Sequence, residues 1–487
     1  MYLSLVGHTE LNAVQNTVLL FFPVSKFSVF KERNTDKREL LCSFDGKTAT
    51  AVLTDGEEIY TATETLIEND DTASVVSRAV YFACKQKNDI TPPWGTVSGI
   101  RPVKKAISIL ERTGSAEKTA EILKKNFLAT DEKIALAMEV MVAEKAALLG
   151  LDEETVSLYI SIPFCPTRCK YCSFVSQSVE KAGRLLPEYV ELLCKELELL
   201  AKTLKESGKK LLTVYMGGGT PTTLSAEQMD RVLSAVYANF DMSRVVEFTV
   251  EAGRPDTITR DKLEVLRKHG ISRISINPQT MNDSTLETIG RRHTAEDIRT
   301  SFALARELGF ANINMDLIAG LSGETAKDFE RTLEEVISMD PDSVTVHTLS
   351  VKRAATLAND AVSALEGMDG ETAKMLEISA KRLTDSSYEP YYLYRQKNMV
   401  GNLENVGYAK KGKMCLYNVY IMGEYQTIIA VGAGGVGKHV DRKNGRIERI
   451  FNYKYPYEYT DNFSKVVSNI GTLSELLKGE NGGEKDN

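Results

Sequence analysis

From Ser157 onward, apolar runs of strand length alternate with segments in which apolar residues recur at helical spacing. The six runs are LYISIPF, LLTVYMGGG, VVEFTVEAG, ISRISINPQ, ANINMDLIAG and SVTVHTLSV. The helical segments between them include PEYVELLCKELELLAKTL and TAKDFERTLEEVISM. Repeated strand–helix units predict a parallel sheet with right-handed crossovers. Six such units predict an α/β fold that forms a partial barrel, (β/α)6, which is an incomplete version of the eight-unit βα barrel.

Polar residues and glycines stand at the carboxyl ends of these predicted strands. In a βα barrel the chemistry takes place at this end, because the loops that follow the strands meet there. In chain order these positions are the cysteine-containing loop, then Gly217, Gly218 and Gly219, and then Glu251, Gln279 and Asp316. The pattern therefore predicts one active site at the carboxyl edge of the sheet.

The residues on either side of the barrel follow different patterns. Residues 1–150 contain strand-like runs such as ELLCSFDG and TATAVLTDG, broken by Asp-Gly turns and followed by helical patterns, which predicts a small α+β domain with connecting helices. The barrel is expected over 151–385. An aromatic and less regular C-terminal extension is expected over 386–475, and a polar, disordered tail over 476–487.

The composition of the 487-residue chain is that of a soluble globular protein, with 43% hydrophobic residues, 26% charged residues and a formal net charge of −7. This mild negative charge gives no general attraction to nucleic acid or to anionic membranes, so neither is expected as a partner. No apolar run approaches the roughly 20 residues that a membrane-spanning helix needs, and the N-terminal residues lack a basic leader. We therefore expect a cytoplasmic protein.

Three of the seven cysteines, Cys165, Cys169 and Cys172, crowd into the end of the first barrel strand with the spacing C-x3-C-x2-C. A structural zinc site normally uses four cysteine or histidine ligands, and no histidine lies in or beside this loop. Three thiolates suffice for a [4Fe–4S] cluster in which one iron stays open to a further ligand. A zinc ion with a distant fourth ligand remains the alternative.

This cysteine motif, with an aromatic residue before its last cysteine, resembles the signature of the radical S-adenosylmethionine superfamily. MGGGTP, after the second strand, resembles the glycine-rich element that receives the methionine amino group. A narrower set of motifs resembles the oxygen-independent coproporphyrinogen III oxidases, and best their coproporphyrinogen dehydrogenase branch, which has an additional N-terminal domain. These motifs are YISIPFCPTRCKYCSF, GGGTPTTL, VEAGRPDTI, INPQTMNDSTLETIGRRHT and MDLIAGLSGET. The resemblance runs from about Tyr159 to Thr348, and more loosely to His439.

The resemblance implies a partial barrel of radical S-adenosylmethionine type that binds S-adenosylmethionine and a [4Fe–4S] cluster with one open iron. Cys165, Cys169 and Cys172 would be the cluster ligands, and Tyr159, Glu251 and Arg291 the catalytic residues. The residues implied to contact the cofactor are Tyr159, Tyr171, Gly218, Gly219, Thr220, Glu251, Gln279, Arg291, Asp316 and Thr348. Arg291 suits this role because a guanidinium group binds a carboxylate at two points. Thr348 stands where the family often has alanine.

The activity that the resemblance implies is the oxygen-independent oxidative decarboxylation of coproporphyrinogen III to protoporphyrinogen IX, an oxidoreductase step of porphyrin and haem biosynthesis. A reduced flavodoxin or ferredoxin would donate an electron, and a 5′-deoxyadenosyl radical would attack two propionates in turn, which become vinyl groups. The C-terminal extension would cover the substrate. Its candidate substrate contacts are Tyr391, Tyr392, Tyr394 and Arg395, in a stretch that departs from the usual family sequence.

Two other functions stay open. One is radical chemistry on a different tetrapyrrole, as in anaerobic haem breakdown. The other is haem delivery without turnover, because related haem chaperones resemble this chain in the barrel. Those chaperones carry a His-Asn…Tyr-Trp motif near the C-terminal region, where this chain has CLYNVY and lacks both the histidine and the tryptophan.

A glycine motif near the C-terminal end suggests a different cofactor. Gly432, Gly434 and Gly437 follow a strand-like run and spell G-x-G-x-x-G, the dinucleotide-binding fingerprint. The next residues, KHVDRKNGRIERIF, have no amphipathic helix pattern, and the roughly fifty residues that remain are too few for a nucleotide-binding fold. We therefore predict a tight loop here and no NAD binding.

Overall fold

The computed structural model of the chain describes residues 1–22, 27–29, 38–99, 101–172, 174, 176–350, 369–395, 403–442 and 444–481. The chain divides into two compact units. The first consists of Met1–Ala143, Asp360–Ala373 and Leu393–Asn405, and the second of Glu144–Asn359, Lys374–Tyr392 and Val406–Asn487. The domain boundaries expected at residues 150, 385 and 475 stay predictions.

The N-terminal part of the first unit is built on a five-stranded sheet. Its elements are β1 (Tyr2–Val6), α1 (Leu11–Phe21), β2 (Ser28–Val29), β3 (Glu39–Phe44), β4 (Thr48–Asp55), β5 (Glu58–Thr65), α2 (Thr72–Asn88), α3 (Pro102–Thr113), α4 (Ala116–Lys125) and α5 (Asp131–Ala147). β1 lies parallel to β2 and β3, and β3, β4 and β5 form an antiparallel meander. Alternate strand residues such as Leu40, Ala51 and Leu53 share a core with Val18 of α1 and Val80 of α2. The predicted α+β character is confirmed.

The remaining elements belong mostly to the second unit. They are β6 (Thr155–Ile162), β7 (Phe164–Cys165), β8 (Gln177–Ser178), α6 (Val179–Ala182), α7 (Leu186–Ser207), β9 (Lys210–Gly218), α8 (Ala226–Asn239), β10 (Glu247–Glu251), α9 (Arg260–Lys268), β11 (Arg273–Ser275), α10 (Asp283–Thr288), α11 (Ala295–Glu307), β12 (Ile313–Ala319), α12 (Ala326–Ser338), β13 (Ser343–Thr348), α13 (Asp369–Asp385), β14 (Glu389–Tyr394), β15 (Asn405–Ala409), α14 (Leu416–Gly423), β16 (Ile428–Val431), β17 (Val436–Asp441), β18 (Arg446–Phe451), α15 (Pro456–Asp461) and α16 (Phe463–Asn481).

Six parallel strands, β6, β9, β10, β11, β12 and β13, lie side by side in chain order and match the six runs predicted from the sequence. β15 pairs antiparallel with β13 at one side. At the other side β16 pairs parallel with β6, and the antiparallel strands β17 and β18 follow. Within the described residues no pairing joins the two ends of this eleven-stranded sheet. The predicted α/β fold is confirmed, as an open sheet in which the six predicted strands are parallel and β16 adds a seventh parallel strand.

The strand registers bring the carboxyl ends of neighbouring strands level with one another. Ile162 of β6 pairs with Gly218 of β9, and Glu251 of β10 pairs with Ser275 of β11. The helices α8, α11 and α12 each begin with a capping box, which satisfies the first free backbone N–H groups. Each of these strand-to-helix loops therefore ends at a defined residue beside the carboxyl edge.

The C-terminal glycine motif is a tight turn between two strands. β16 is followed by the antiparallel strand β17 instead of a helix, so the dinucleotide fingerprint lacks its structural context. Gly432 has φ +83°, and a Cβ atom on it would lie 2.5 Å from both the Ser161 carbonyl oxygen and the Tyr189 hydroxyl. Its backbone N–H donates to the buried carboxylate of Glu196 on α7, at 2.8 Å. Close packing against β6 and α7 therefore explains why residue 432 is glycine.

The last helix, α16, continues to Asn481. It therefore includes the first six residues of the segment 476–487 that was predicted to be disordered, because its amphipathic pattern extends past the point where polar residues begin to dominate. The rest of that segment lies outside the described residues. In the part of the chain that is described, no helix is both long enough and apolar enough to span a membrane.

Candidate active site

The cysteine loop follows β6 at the carboxyl edge of the sheet. Cys169 is buried, and Cys165 and Cys172 are half-buried. The two short strands β7 and β8 pair parallel to each other and close the base of the loop. The Lys170 N–H donates to the carbonyl of Ile289, at 3.0 Å, and so ties the loop to the residues after α10. The fold thus holds all three thiols on one short, anchored loop.

The thiols form a donor set that fits an iron–sulfur cluster. Burial raises the pKa of Cys172 to about 11 and also raises the pKa of Cys165, and the neighbouring thiols raise both further. Among the described residues, no three Cys, His, Asp or Glu side chains converge to hold a single metal ion, as the zinc alternative would require. A [4Fe–4S] cluster does not need such convergence, because each thiolate binds a different iron.

Glycines beside the cysteine loop allow two strand ends to pack closely. A Cβ atom on Gly219 would lie 2.5 Å from the carbonyl oxygen of Phe164, and one on Gly218 would lie 3.0 Å from the Ser161 hydroxyl. The next residue, Thr220, donates from its hydroxyl to the Cys165 sulfur at 3.5 Å. The glycine segment therefore lies directly against the base of the cysteine loop, with its backbone close to the thiols.

Glu251 ends β10 next to this glycine segment. Its Oε1 accepts a hydrogen bond of 2.7 Å from the Tyr215 hydroxyl. A Cβ atom on Gly217 would lie 2.9 Å from the carboxylate, so a larger residue there would require the Glu251 side chain to shift. Burial raises the pKa of Glu251 to about 7, and the nearby charge of Asp316 raises it as well. A cationic group would therefore find a partly desolvated carboxylate here, one that gains from neutralisation.

Three tyrosine rings stack in front of Glu251. Tyr159 of β6, Tyr215 of β9 and Tyr417 of α14 have ring centroids 4.5–6.1 Å apart and interplanar angles of 18–24°. Tyr417 lies in the CLYNVY stretch. From the sequence, a role was expected only for Tyr159. The stack shows that α14 contributes Tyr417 to the same aromatic cluster.

Gln279 and Asp316 are joined by backbone hydrogen bonding. The Gln279 N–H donates to the carbonyl of Asp316 at 2.9 Å, and Gln279 has φ +70°, a left-handed conformation that is unusual for a residue other than glycine. Such strain is typical of functional sites. Burial favours a raised pKa for Asp316, but the hydrogen bond and charge of His347 outweigh it and leave the pKa below its usual value.

Arg291 lies on the other side of the cysteine loop, beside Tyr171. Its Nη1 donates to the carbonyl of Asn277 at 2.6 Å, and its Nη2 lies 3.1 Å from the Tyr171 hydroxyl. Three buried polar atoms on Arg291 and on the end of β11 and the residues after it have no hydrogen-bond partner within the protein: Arg291 Nε, Asn277 Oδ1 and Ser275 Oγ. Buried polar atoms are normally paired, so these three indicate a polar ligand.

Sequence reasoning missed Ser275, Asn277 and Arg254. The first two alternate along ISINPQ before Gln279, and that spacing was the available signal. Arg254 lies in VEAGRPDTI and is almost fully buried. Its Nη1 lies 3.6 Å from the Cys169 sulfur.

The remaining predicted contacts lie further along the sheet. Thr348 is buried at the end of β13, where it pairs with Ala319. Tyr391 and Tyr392 are also buried, as expected of core residues. Arg395 belongs to the first unit, where its guanidinium donates to the carbonyls of Val97 and Gly99. The contacts thus unite the cysteine loop, the glycine segment, Glu251 and Arg291 most closely.

Comparison with known proteins gives a consistent family. Residues 159–336 match the radical SAM superfamily. The chain is 44% identical over 377 residues to the oxygen-independent coproporphyrinogen-III oxidase-like protein HemZ of Bacillus subtilis, covering 77% of this chain and 75% of that protein. It is 39% identical over 207 residues to the heme chaperone HemW of the same organism, covering 42% of this chain and 52% of the chaperone.

A solved structure shares the fold. Coproporphyrinogen III oxidase (HemN) from Escherichia coli, described as a radical SAM enzyme, superimposes with a TM-score of 0.51 at 22% sequence identity. The superposition covers 67% of this chain and 72% of that structure. At this level of sequence identity, the superposition shows that the two proteins share the arrangement of strands and helices.

Proposed function

Since the chain belongs to the radical SAM oxygen-independent coproporphyrinogen oxidase family, we propose that it converts coproporphyrinogen III to protoporphyrinogen IX without oxygen. Each round removes one hydrogen atom and carbon dioxide from a propionate carboxylate, passes one electron to an external one-electron acceptor, and leaves a vinyl group. The observation that carries the proposal is the continuous contact from the cysteine loop through Thr220 and the glycine segment to Glu251. This surface has a cluster-binding end and an acidic, amine-binding end.

The resident cofactors would be a [4Fe–4S] cluster on Cys165, Cys169 and Cys172, with one iron open, and S-adenosylmethionine. When bound together, they supply the 5′-deoxyadenosyl radical that removes hydrogen from the substrate. The protein's share of the work is binding, orientation and exclusion of water. A reduced flavodoxin or ferredoxin is the proposed electron donor.

The methionine moiety would be held through its two charged groups. Glu251 would bind the amino group, because its desolvated carboxylate gains from a cationic partner. Arg291 would bind the carboxylate. Its Nε and Nη2 form one edge of the guanidinium group, and Nε has no protein partner, so this edge is suited to a two-point contact.

The nucleoside would be held by polar groups on the middle strands. Gln279, Asp316 and the unpartnered oxygens of Ser275 and Asn277 provide hydrogen-bonding groups at this edge. Tyr159 and Tyr171 would add aromatic surface on either side of the cysteine loop. Thr348 lies on β13, the last of the six parallel strands in chain order. It would therefore contact only the part of the cofactor that lies farthest from the cysteine loop.

An anaerobic assay tests the proposal. Reconstituted protein is incubated with dithionite, S-adenosylmethionine and coproporphyrinogen III, and mass spectrometry counts 5′-deoxyadenosine and tetrapyrrole products. Protoporphyrinogen IX formed with matching 5′-deoxyadenosine supports the oxidase. Methylated or ring-opened products would instead support radical chemistry of anaerobic haem breakdown.

Haem delivery is the second candidate, favoured by the similarity to HemW. The buried Tyr417 lies in the stretch where the chaperones carry their histidine motif, and its ring is stacked on Tyr159 and Tyr215. Stoichiometric haem binding in a titration followed by the Soret band, without turnover in the anaerobic assay, would support delivery. Haem binding that is weak and non-stoichiometric would count against it.

A further inference from the structure

Arg254 connects the loop after β10 to the cysteine loop. Its Nη1 lies 3.6 Å from the Cys169 sulfur and 3.4 Å from the Thr167 carbonyl oxygen. Its Nη2 donates to the Thr167 hydroxyl at 3.1 Å. The arginine is only 3% exposed. Burying a guanidinium group is costly unless it is paired, and this one is paired with Asp256 while its Nη1 contacts the Cys169 sulfur.

Asp256 holds the same guanidinium group from the other side. Arg254 Nε and Nη2 each donate to a different carboxylate oxygen of Asp256, both at 2.9 Å. His293 Nδ1 lies 3.6 Å from Asp256 Oδ1. The two-point pairing fixes the plane of the guanidinium group, and with it the direction in which Nη1 points toward Cys169.

We propose that Arg254 is a positioning residue that raises the reduction potential of the iron–sulfur cluster, and that Asp256 limits the size of this effect. The inference rests on the proposed function, because it requires the cluster to bind at Cys169. On taking one electron from an external one-electron donor, the cluster becomes more negative. A nearby cation and an N–H···S hydrogen bond both stabilise that reduced form. The Asp256 carboxylate lies behind the cation and partly cancels its field.

Other cations also lie near the loop. Arg291 interacts with the Cys169 sulfur as well, and Arg168 belongs to the loop itself. Both are retained in every variant below. The alternative role for Arg254 is purely structural, as a clamp on the Thr167 backbone. A clamp would be loosened by loss of either Arg254 or Asp256, so both losses would then change the cluster in the same direction.

If Arg254 acts through its charge, loss of Arg254 and loss of Asp256 should shift the reduction potential in opposite directions. Anaerobic redox titration of the reconstituted full-length protein, followed by electron paramagnetic resonance, measures the potential directly. Arg254→Gln is expected to lower the reduced-to-oxidised ratio at a fixed potential about tenfold, which is about 59 mV for one electron. Asp256→Asn is expected to raise the ratio by a smaller factor, because the Asp256 side chain is 22% exposed and partly screened. Arg254→Lys keeps the charge and is expected to stay nearer the wild type.

Arg292→Gln is the matched control. Arg292 follows Arg291 in the chain, but its side chain is exposed and paired with Glu180 at 2.8 Å. Its loss is therefore expected to leave the reduction potential unchanged. Shifts of the same sign in Arg254→Gln and Asp256→Asn, or a full cluster with unchanged potential in both, would overturn the inference. Should Arg254→Gln fail to fold, Asp256→Asn still tests the sign, because a potential that falls or stays unchanged in this variant would overturn the inference. Wild-type protein that binds no cluster would overturn the proposed function and this inference together.

Discussion

The Tyr215 hydroxyl donates to Glu251 across the adjacent carboxyl ends of β9 and β10, with 2.7 Å between the oxygen atoms. This hydrogen bond favours the charged carboxylate, but burial outweighs it, and the pKa of Glu251 is raised to about 7. The ligand-free protein therefore carries this carboxyl partly protonated at neutral pH. A bound ammonium group would favour ionisation, so binding and proton release are coupled at this residue.

The first prediction concerns Glu251 and pH. The folded state keeps the Glu251 proton between about pH 4.5 and 7 while the unfolded state loses it, so this group makes the protein less stable as pH rises through that window. Glu251→Gln removes the penalty. We expect the ligand-free variant to be more stable than the wild type at pH 8, by roughly 1–3 kcal/mol, and nearly equal at pH 5. Thermal unfolding at both pH values measures this.

The same substitution should weaken S-adenosylmethionine binding, because the amide lacks the charge that attracts the amino group. If the gain in unfolding free energy of the variant over the wild type is no larger at pH 8 than at pH 5, the raised pKa of Glu251 is contradicted. Unchanged cofactor affinity would contradict the binding role while leaving the pKa intact.

The second prediction compares two adjacent arginines. Arg291→Lys keeps the charge but loses the two-point edge of the guanidinium group, so we expect the Kd for S-adenosylmethionine to rise roughly 10- to 100-fold, as for the loss of one hydrogen bond between charged groups. Arg292→Lys, on the exposed neighbour, should leave the Kd unchanged. Anaerobic calorimetry gives both constants. Equal affinities in the two variants would remove Arg291 from the site.

The third prediction separates cluster ligands from other cysteines. Cys169→Ala should abolish the visible absorbance of the cluster and stop S-adenosylmethionine cleavage, because two thiolates hold the cluster poorly. Cys194→Ala is the control: this half-buried cysteine lies on α7, with its sulfur 3.9 Å from the Arg231 carbonyl. It should retain iron, sulfide and cleavage. Full iron content in Cys169→Ala would refute the ligand assignment.

The fourth prediction tests why the glycine segment contains glycine. In Gly219→Ala the new methyl group meets the Phe164 carbonyl oxygen at 2.5 Å, so the backbone that leads into the cysteine loop must move. We expect a loss of stability of about 1–3 kcal/mol, typical of overpacking, together with reduced cluster content. Gly471→Ala in α16 meets no atom within 4 Å and should stabilise the protein by about 0.5–1 kcal/mol through helix propensity. Thermal unfolding and iron analysis compare the two, and a stable, fully loaded Gly219→Ala would refute the packing argument.

The parallel core could be predicted because each of its strands carries its own signal. LYISIPF and ANINMDLIAG are apolar enough to be recognised as buried strands without knowledge of their neighbours. The same holds for the cysteine motif, whose spacing is local. The pairing of β16 with β6 joins residues far apart in the chain, and no local pattern indicates it.

The parts of the site that were missed depend on such distant contacts. Arg254 follows Glu251 by three residues, yet its partner Cys169 belongs to a different strand-end loop. Gln279 adopts a left-handed backbone that its residue type does not favour, and only its tertiary hydrogen bonds to β12 explain it. Tyr391 and Tyr392 are both buried, and their contact with the substrate stays a prediction, because aromatic residues fill cores and binding sites equally well.

The pairing of β16 with β6 also has a consequence for the order of synthesis. β6 leads into the cysteine loop, and it lies between β9 and β16 in the finished sheet. On the ribosome, β9 follows β6 soon after, whereas Ile428, the first residue of β16, is translated long after Ile162, the last residue of β6. Until then one edge of β6 has no partner, and unpaired strand edges promote aggregation. The strand that leads into the cysteine loop is thus the last of the six predicted parallel strands to gain both of its partners.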